Sequence, residues 1–110
     1  MNRRRVALTG IGVVAPGGTG HKAFWELLTA GRTATRTISM FDAGAFRSRI
    51  AAECDFDPAA EGLSAREIRR MDRAAQFAVV STREALADSG LDPSDLEPAR
   101  TGVTLGSAVG

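Results

Sequence analysis

A chain of 110 residues with 44% hydrophobic and 25% charged side chains has single-domain length and ordinary globular composition, which excludes a disordered or fibrous class. Fourteen Lys and Arg against thirteen Asp and Glu leave a formal net charge of +1, so no electrostatic footprint for nucleic acid is present. A chain of this size that folds alone buries roughly two thirds of its unfolded surface, enough for one core.

The basic run Arg3 to Arg5 reads as a solvated N-terminus. The apolar residues after it are interrupted by Gly10 and Gly12, without the continuous core or cleavage site of a secretory signal, and no stretch approaches membrane-spanning length. Cys54 is the single cysteine, which rules out an internal disulfide and makes a reducing cytoplasm the natural assignment.

Val6 to Val14 is a nearly continuous apolar run rich in β-branched residues and predicts a strand buried on both faces of a largely parallel sheet. Pro16, Gly17 and Gly18 end it. Thr19 is the expected N-cap of a helix through Phe24, Trp25, Leu27 and Leu28, with Gly31 at the position that follows a helix end. Residues 32–49 lack periodicity, and Phe41 and Phe46 are the expected anchors of this irregular segment. Ile50 to Phe56 reads as a short strand, broken by Asp57-Pro58.

Ser64-Ala-Arg-Glu67 matches a capping box that opens a short helix ending near Met71. Arg69 to Gly90 is the longest apolar-periodic stretch. Met71, Ala74, Ala75, Ala78, Thr82, Ala85, Leu86 and Ser89 fall on one face, wide and built of small residues, which predicts close approach by neighbours on more than one side. Asp72 is itself a good N-cap, so this stretch reads either as one helix or as two meeting at Met71-Asp72. Asp92-Pro93 starts a helical turn, Pro98 stops it, and Gly102 to Gly106 reads as a second buried strand. Such a set leaves sheet edges and apolar helix faces uncovered, the pattern of half a domain.

Gly10-Ile-Gly12-Val-Val-Ala15 matches the G-x-G-x-x-A fingerprint of dinucleotide folds and opens the alternative of a small NADP-binding module using Gly10, Gly12 and Ala15, with Arg36 near the adenosine phosphate. The context opposes it: Pro16-Gly17-Gly18 precede any helix, and no acid follows at the distance the ribose requires. Close backbone packing within a buried sheet explains both glycines instead. Gly17 to Lys22 lacks the Gly-Lys-Ser/Thr of a phosphate loop. Cys54 lies in a candidate strand rather than at a helix start, and one His21 with one cysteine builds no metal site. Asp55 and Asp57 would share one face of a strand as a solvated pair. No catalytic constellation is complete.

From end to end the chain nevertheless resembles the N-terminal quarter or so of a β-ketoacyl synthase. The residues that carry the resemblance are Val6 to Gly18, Phe24-Trp25 with Leu28 and Gly31, Phe41-Asp42, Arg70-Met-Asp-Arg73 with Gln76, Asp88-Ser-Gly90 and Gly102 to Ser107. Gly31 to Arg36, Ala51 to Pro58 and Arg70 to Val79 are most similar to the ketosynthase α subunit of bacterial type II aromatic polyketide synthases. The resemblance implies an α/β fold, the N-terminal portion of a thiolase-like layered α/β/α/β/α architecture, with residues 1–110 a piece of the family's N-terminal domain. It further implies an acyltransferase in antibiotic biosynthesis whose intact form performs a decarboxylative Claisen condensation. Malonyl groups arrive on the phosphopantetheine arm of acyl carrier protein, and a chain-length factor forms a heterodimer with the enzyme. No metal, nucleotide, nucleic acid or membrane enters. The family's catalytic cysteine and two histidines fall beyond the part matched here, so none of their roles is carried onto Cys54 or His21, and the 110 residues by themselves are expected to be inactive. Gly106-Ser-Ala-Val-Gly110 matches a glycine-rich family segment, which makes Val109 the candidate lining residue of the acyl pocket. A non-catalytic docking scaffold is the remaining alternative.

Overall fold

Local capping chemistry sets the helix boundaries in the computed structural model, which describes residues 3–108. The elements are β1 (Val14–Ala15), β2 (Gly18–Thr19), α1 (His21–Thr29), β3 (Arg36–Thr37), β4 (Ile50–Ala51), α2 (Ala65–Arg70) and α3 (Arg73–Ser89), followed by 3-10 turns at Pro93–Asp95 and Pro98–Arg100. Ser64 Oγ accepts the Glu67 N–H while the Glu67 carboxylate accepts the Ser64 N–H, completing the capping box of α2. Asp72 Oδ1 accepts the Ala75 N–H at 2.8 Å and opens α3, so the long apolar stretch is two helices. Gly31 at φ 62° and Gly90 at φ 68° take the left-handed conformation that ends α1 and α3. Asp92 caps the first 3-10 turn through the Ser94 N–H, and Pro98 begins the second rather than stopping the first.

Two small antiparallel ribbons join these helices. Val14 pairs with Thr19 and Ala15 with Gly18, while Arg36 pairs with Ala51 and Thr37 with Ile50. The core is small: Phe56, Leu63 and Val80 are buried, with Val14, Cys54, Ile68, Met71, Phe77 and Val79 packed around them. Phe56 and Phe77 meet edge to face at 4.8 Å. The Arg73 guanidinium lies 5.0 Å from the Phe77 ring centre and donates to the Cys54 carbonyl at 2.9 Å, fastening the 54–56 strip to α3. Gln76, polar but buried, donates to the carbonyls of Met71 at 3.1 Å and Ile68 at 3.4 Å, which ties the end of α2 to the start of α3.

Five expectations are corrected. The Val6 to Val14 strand does not form before Val14: Val6 and Leu8 are 89% and 91% exposed. Gly102 to Gly106 is likewise outside any strand, with Val103 93% exposed. A buried parallel strand needs hydrogen-bonded neighbours on both edges, and the described residues supply none for residues 6–13 or 102–106. Gly20 rather than Thr19 occupies the N-cap of α1. Phe41 and Phe46 do not anchor the 32–49 segment; they pair edge to face at 5.9 Å and remain more than half exposed. Finally, Ala74 and Thr82 point to solvent, and α3 buries Gln76 and Val80 instead.

These uncovered runs leave the chain open. Its radius of gyration is 17.2 Å, where a compact domain of this length has about 13 Å. Its accessible surface is 9012 Å², against roughly 5,800 Å² for a folded monomer of this mass.

Candidate functional site

The two glycines of the G-x-G segment lie against α3. An ideal Cβ at Gly12 would overlap the carbonyl oxygen of Ser81, and one at Gly10 the carbonyl oxygen of Ala85. Ser81, Ala85 and Ser89 recur every four residues and form the small-residue track that receives this backbone. Carboxylates beside the track hold it there. Glu84 Oε2 accepts the Val13 N–H at 2.8 Å, Glu84 Oε1 the His21 N–H at 2.8 Å, and Asp88 Oδ2 the Ile11 N–H at 2.9 Å.

This arrangement has consequences for anion binding. The α1 N-terminus, where a pyrophosphate would sit in a dinucleotide fold, faces the Glu84 carboxylate, and α3 fills the space beside Gly10 and Gly12. Ala15 lies in β1 and pairs with Gly18. Partial burial pushes the Glu84 carboxyl up, but the amides of Val13 and His21 and the His21 ring outweigh it and hold it below the usual carboxylate range.

His21 is therefore a partner of carboxylates: its Nδ1 lies 2.7 Å from Glu84 Oε1 and its Nε2 4.0 Å from Asp88 Oδ1. Cys54 packs at the edge of the core. Among the described residues no hydrogen bond joins the cysteine to the histidine, and no cluster of three His, Cys, Asp or Glu side chains could hold a metal ion.

Asp55 and Asp57 do not act as a pair. Asp57 Oδ1 accepts the Ala59 N–H at 3.0 Å in a local turn. Asp55 takes both terminal nitrogens of Arg36, at 2.6 and 2.8 Å, while the Arg36 Nε donates to Glu53 at 3.2 Å. Its hydrogen bonds to Asp55 first, then to Glu53, push the Arg36 guanidinium up, and its charge is spent within the ribbon. Glu53, 8% exposed, also accepts the Ser39 and Met40 N–H groups at 3.0 Å and the Ser39 hydroxyl at 2.8 Å. The Met40 amide and the Ser39 hydroxyl are the chief reasons that its carboxyl lies at about 2, against the upward push of burial. Sequence reasoning missed this residue. The available signal was alternation: Glu53 and Asp55 share the face of an extended strip opposite Arg36.

The other feature missed is the exposed face of α2. Arg66, Arg69 and Arg70 are all exposed, and none pairs with a carboxylate among the described residues; Glu67, the one acid on the helix, is taken by Ser64 and by Arg83 at 2.8 Å. Val109, the candidate pocket residue, lies outside the described residues.

Comparison with known proteins places this geometry. Residues 3–110 match the family model described as "Beta-ketoacyl synthase, N-terminal domain". The chain is 72% identical to the granaticin polyketide putative beta-ketoacyl synthase 1 of Streptomyces violaceoruber, over 96% of this chain and 25% of that protein. It is 66% identical to the tetracenomycin polyketide synthase ketoacyl synthase alpha subunit of Streptomyces glaucescens, over 97% of this chain and 25% of that protein. The solved ishigamide ketosynthase/chain length factor superposes with a TM-score of 0.74 at 41% identity, covering 86% of this chain and 23% of that one. The chain thus spans about a quarter of the length of these relatives, and its α/β architecture is the N-terminal portion of a thiolase-like layered fold. By its sequence from Arg3 onward and by its fold, the chain belongs to the β-ketoacyl synthase family, matching that family's N-terminal domain.

Proposed function

We propose that residues 1–110 are the N-terminal portion of a polyketide ketosynthase α subunit, and that the intact enzyme extends an acyl chain by decarboxylative Claisen condensation. The observation that carries this reading is the 72% identity to a polyketide β-ketoacyl synthase over nearly the whole chain. In the reaction a downstream cysteine thiolate takes the acyl group from its carrier thioester. Malonyl carrier protein then loses CO2, and the resulting enolate carbon attacks the acyl thioester carbonyl, expelling the cysteine thiolate. The described residues contribute scaffold to this chemistry rather than reacting groups, and Val109 is proposed to line the acyl pocket.

The proposed partners are acyl carrier protein and a chain-length factor. Arg66, Arg69 and Arg70 of α2, without a carboxylate partner among the described residues, support the first, because a phosphodiester-bearing arm on its carrier is attracted to such a face. The likeness to the ishigamide ketosynthase/chain length factor supports the second. No bound cofactor is invoked.

The test is reconstitution of the intact subunit with a chain-length factor and malonyl-loaded carrier protein. Release of CO2 and appearance of a carrier-bound polyketide are expected, with neither produced by the 110-residue chain. An intact pair that neither decarboxylates nor transfers acyl groups refutes the assignment. Saturable micromolar NADP(H) binding would favour the dinucleotide alternative, and co-purification with the chain-length factor without condensation would favour the scaffold.

A further inference from the structure

We draw no further inference here: the strongest candidate, the exposed apolar patch of Met40, Phe41 and Phe46 on the loop between β3 and β4, carries nothing because nothing in the structure shows what covers it.

Discussion

One oxygen of the Glu84 carboxylate accepts the His21 main-chain N–H at 2.8 Å and lies 2.7 Å from the ring Nδ1 of the same residue. Helix α1, which has no side-chain cap at Gly20, is therefore capped by a residue 63 positions downstream. The second carboxylate oxygen holds Val13, so one side chain fixes both the exit of the N-terminal segment and the start of α1. Long-range capping of this kind makes α1 depend on α3.

Glu84→Ala leaves the amides of Val13 and His21 without their acceptor and is expected to destabilise the intact subunit by about 2 kcal/mol. Glu84→Gln, which keeps one acceptor oxygen, should cost roughly half as much. Urea unfolding of the two variants beside the wild type checks this, and midpoints that do not move would remove Glu84 from the role of cap. Because the folded carboxyl sits below its ordinary value, its contribution is full above the unfolded value of about 4.3 and is lost as pH falls through the folded one.

Gly12 and Gly10 are expected to tolerate no side chain. A methyl group at Gly12 meets the Ser81 carbonyl of a helix backbone, which has no rotamer to change, so Gly12→Ala should cost about 3 kcal/mol or prevent folding. Gly31, at φ 62°, has nothing within 4 Å of an added Cβ, so Gly31→Ala should cost only about 1 kcal/mol of backbone strain. Thermal melting of both variants of the intact subunit, with soluble yield recorded, separates packing from conformation. Equal losses at the two sites would mean that the approach to α3 does not dictate glycine at position 12.

What the sequence made legible here was local. Ser64 with Glu67, Asp72, Gly31 and Gly90 each act on backbone within four residues, and each helix boundary they mark is present, whereas Thr19 does not mark the start of α1. That start was illegible because its cap is Glu84, and nothing near Gly20 announces it. The β-branched runs at Val6 and Val103 failed for a related reason. Their composition specifies burial between strands, while strand formation needs partners that the described residues do not provide. The close packing expected at Gly10 and Gly12 is present, but against helix α3 rather than within a buried sheet, because Ser81, Ala85 and Ser89 supply the surface that the absent strands do not. The ion-pair network of Arg36, Glu53 and Asp55 was illegible because Arg36 lies 17 and 19 residues before its partners, and alternation groups Asp55 with Asp57, whose carboxylate serves a turn.

Glu53→Gln should loosen the loop between β3 and β4. The carboxylate gathers Ser39, Met40 and Arg36 at the neck of the loop, and the amide offers one acceptor where two are used. Faster hydrogen exchange at the Ser39 and Met40 amides, with α3 unchanged, is the expected result. The wild-type neck should stay closed through mildly acidic pH: its stabilisation is full above the ordinary glutamate range and declines as pH falls toward the folded value of about 2. Unchanged exchange at both amides would show that the backbone pairing of Ile38 with Arg49 suffices.

Reversing charge on α2 tests the proposed docking face. Arg66→Glu with Arg69→Glu in the intact enzyme should lower kcat/KM for malonyl carrier protein by about tenfold at low salt, mainly through slower association, and leave kcat near wild type. The difference should shrink at high ionic strength, since exposed charges are screened over a few ångströms. Loss of kcat at saturating carrier protein would instead point to damaged folding. An unchanged kcat/KM at low salt would place the carrier protein elsewhere.

The 110-residue chain expressed by itself should be molten or aggregated. Its accessible surface of 9012 Å² includes Val6, Leu8, Val103 and Leu105, each more than 70% exposed and drawn from runs whose composition suits a sheet interior. Exposed apolar backbone without strand partners templates association between copies. Far-ultraviolet circular dichroism should still report α1, α2 and α3, whose caps other than Glu84 are local, while near-ultraviolet signals from Trp25 should be weak because that residue is 66% exposed. Binding of a hydrophobic dye and a broad thermal transition complete the expected picture. A sharp cooperative melt of a monomer would contradict it, and would mean that Phe56, Leu63 and Val80 form a sufficient core on their own.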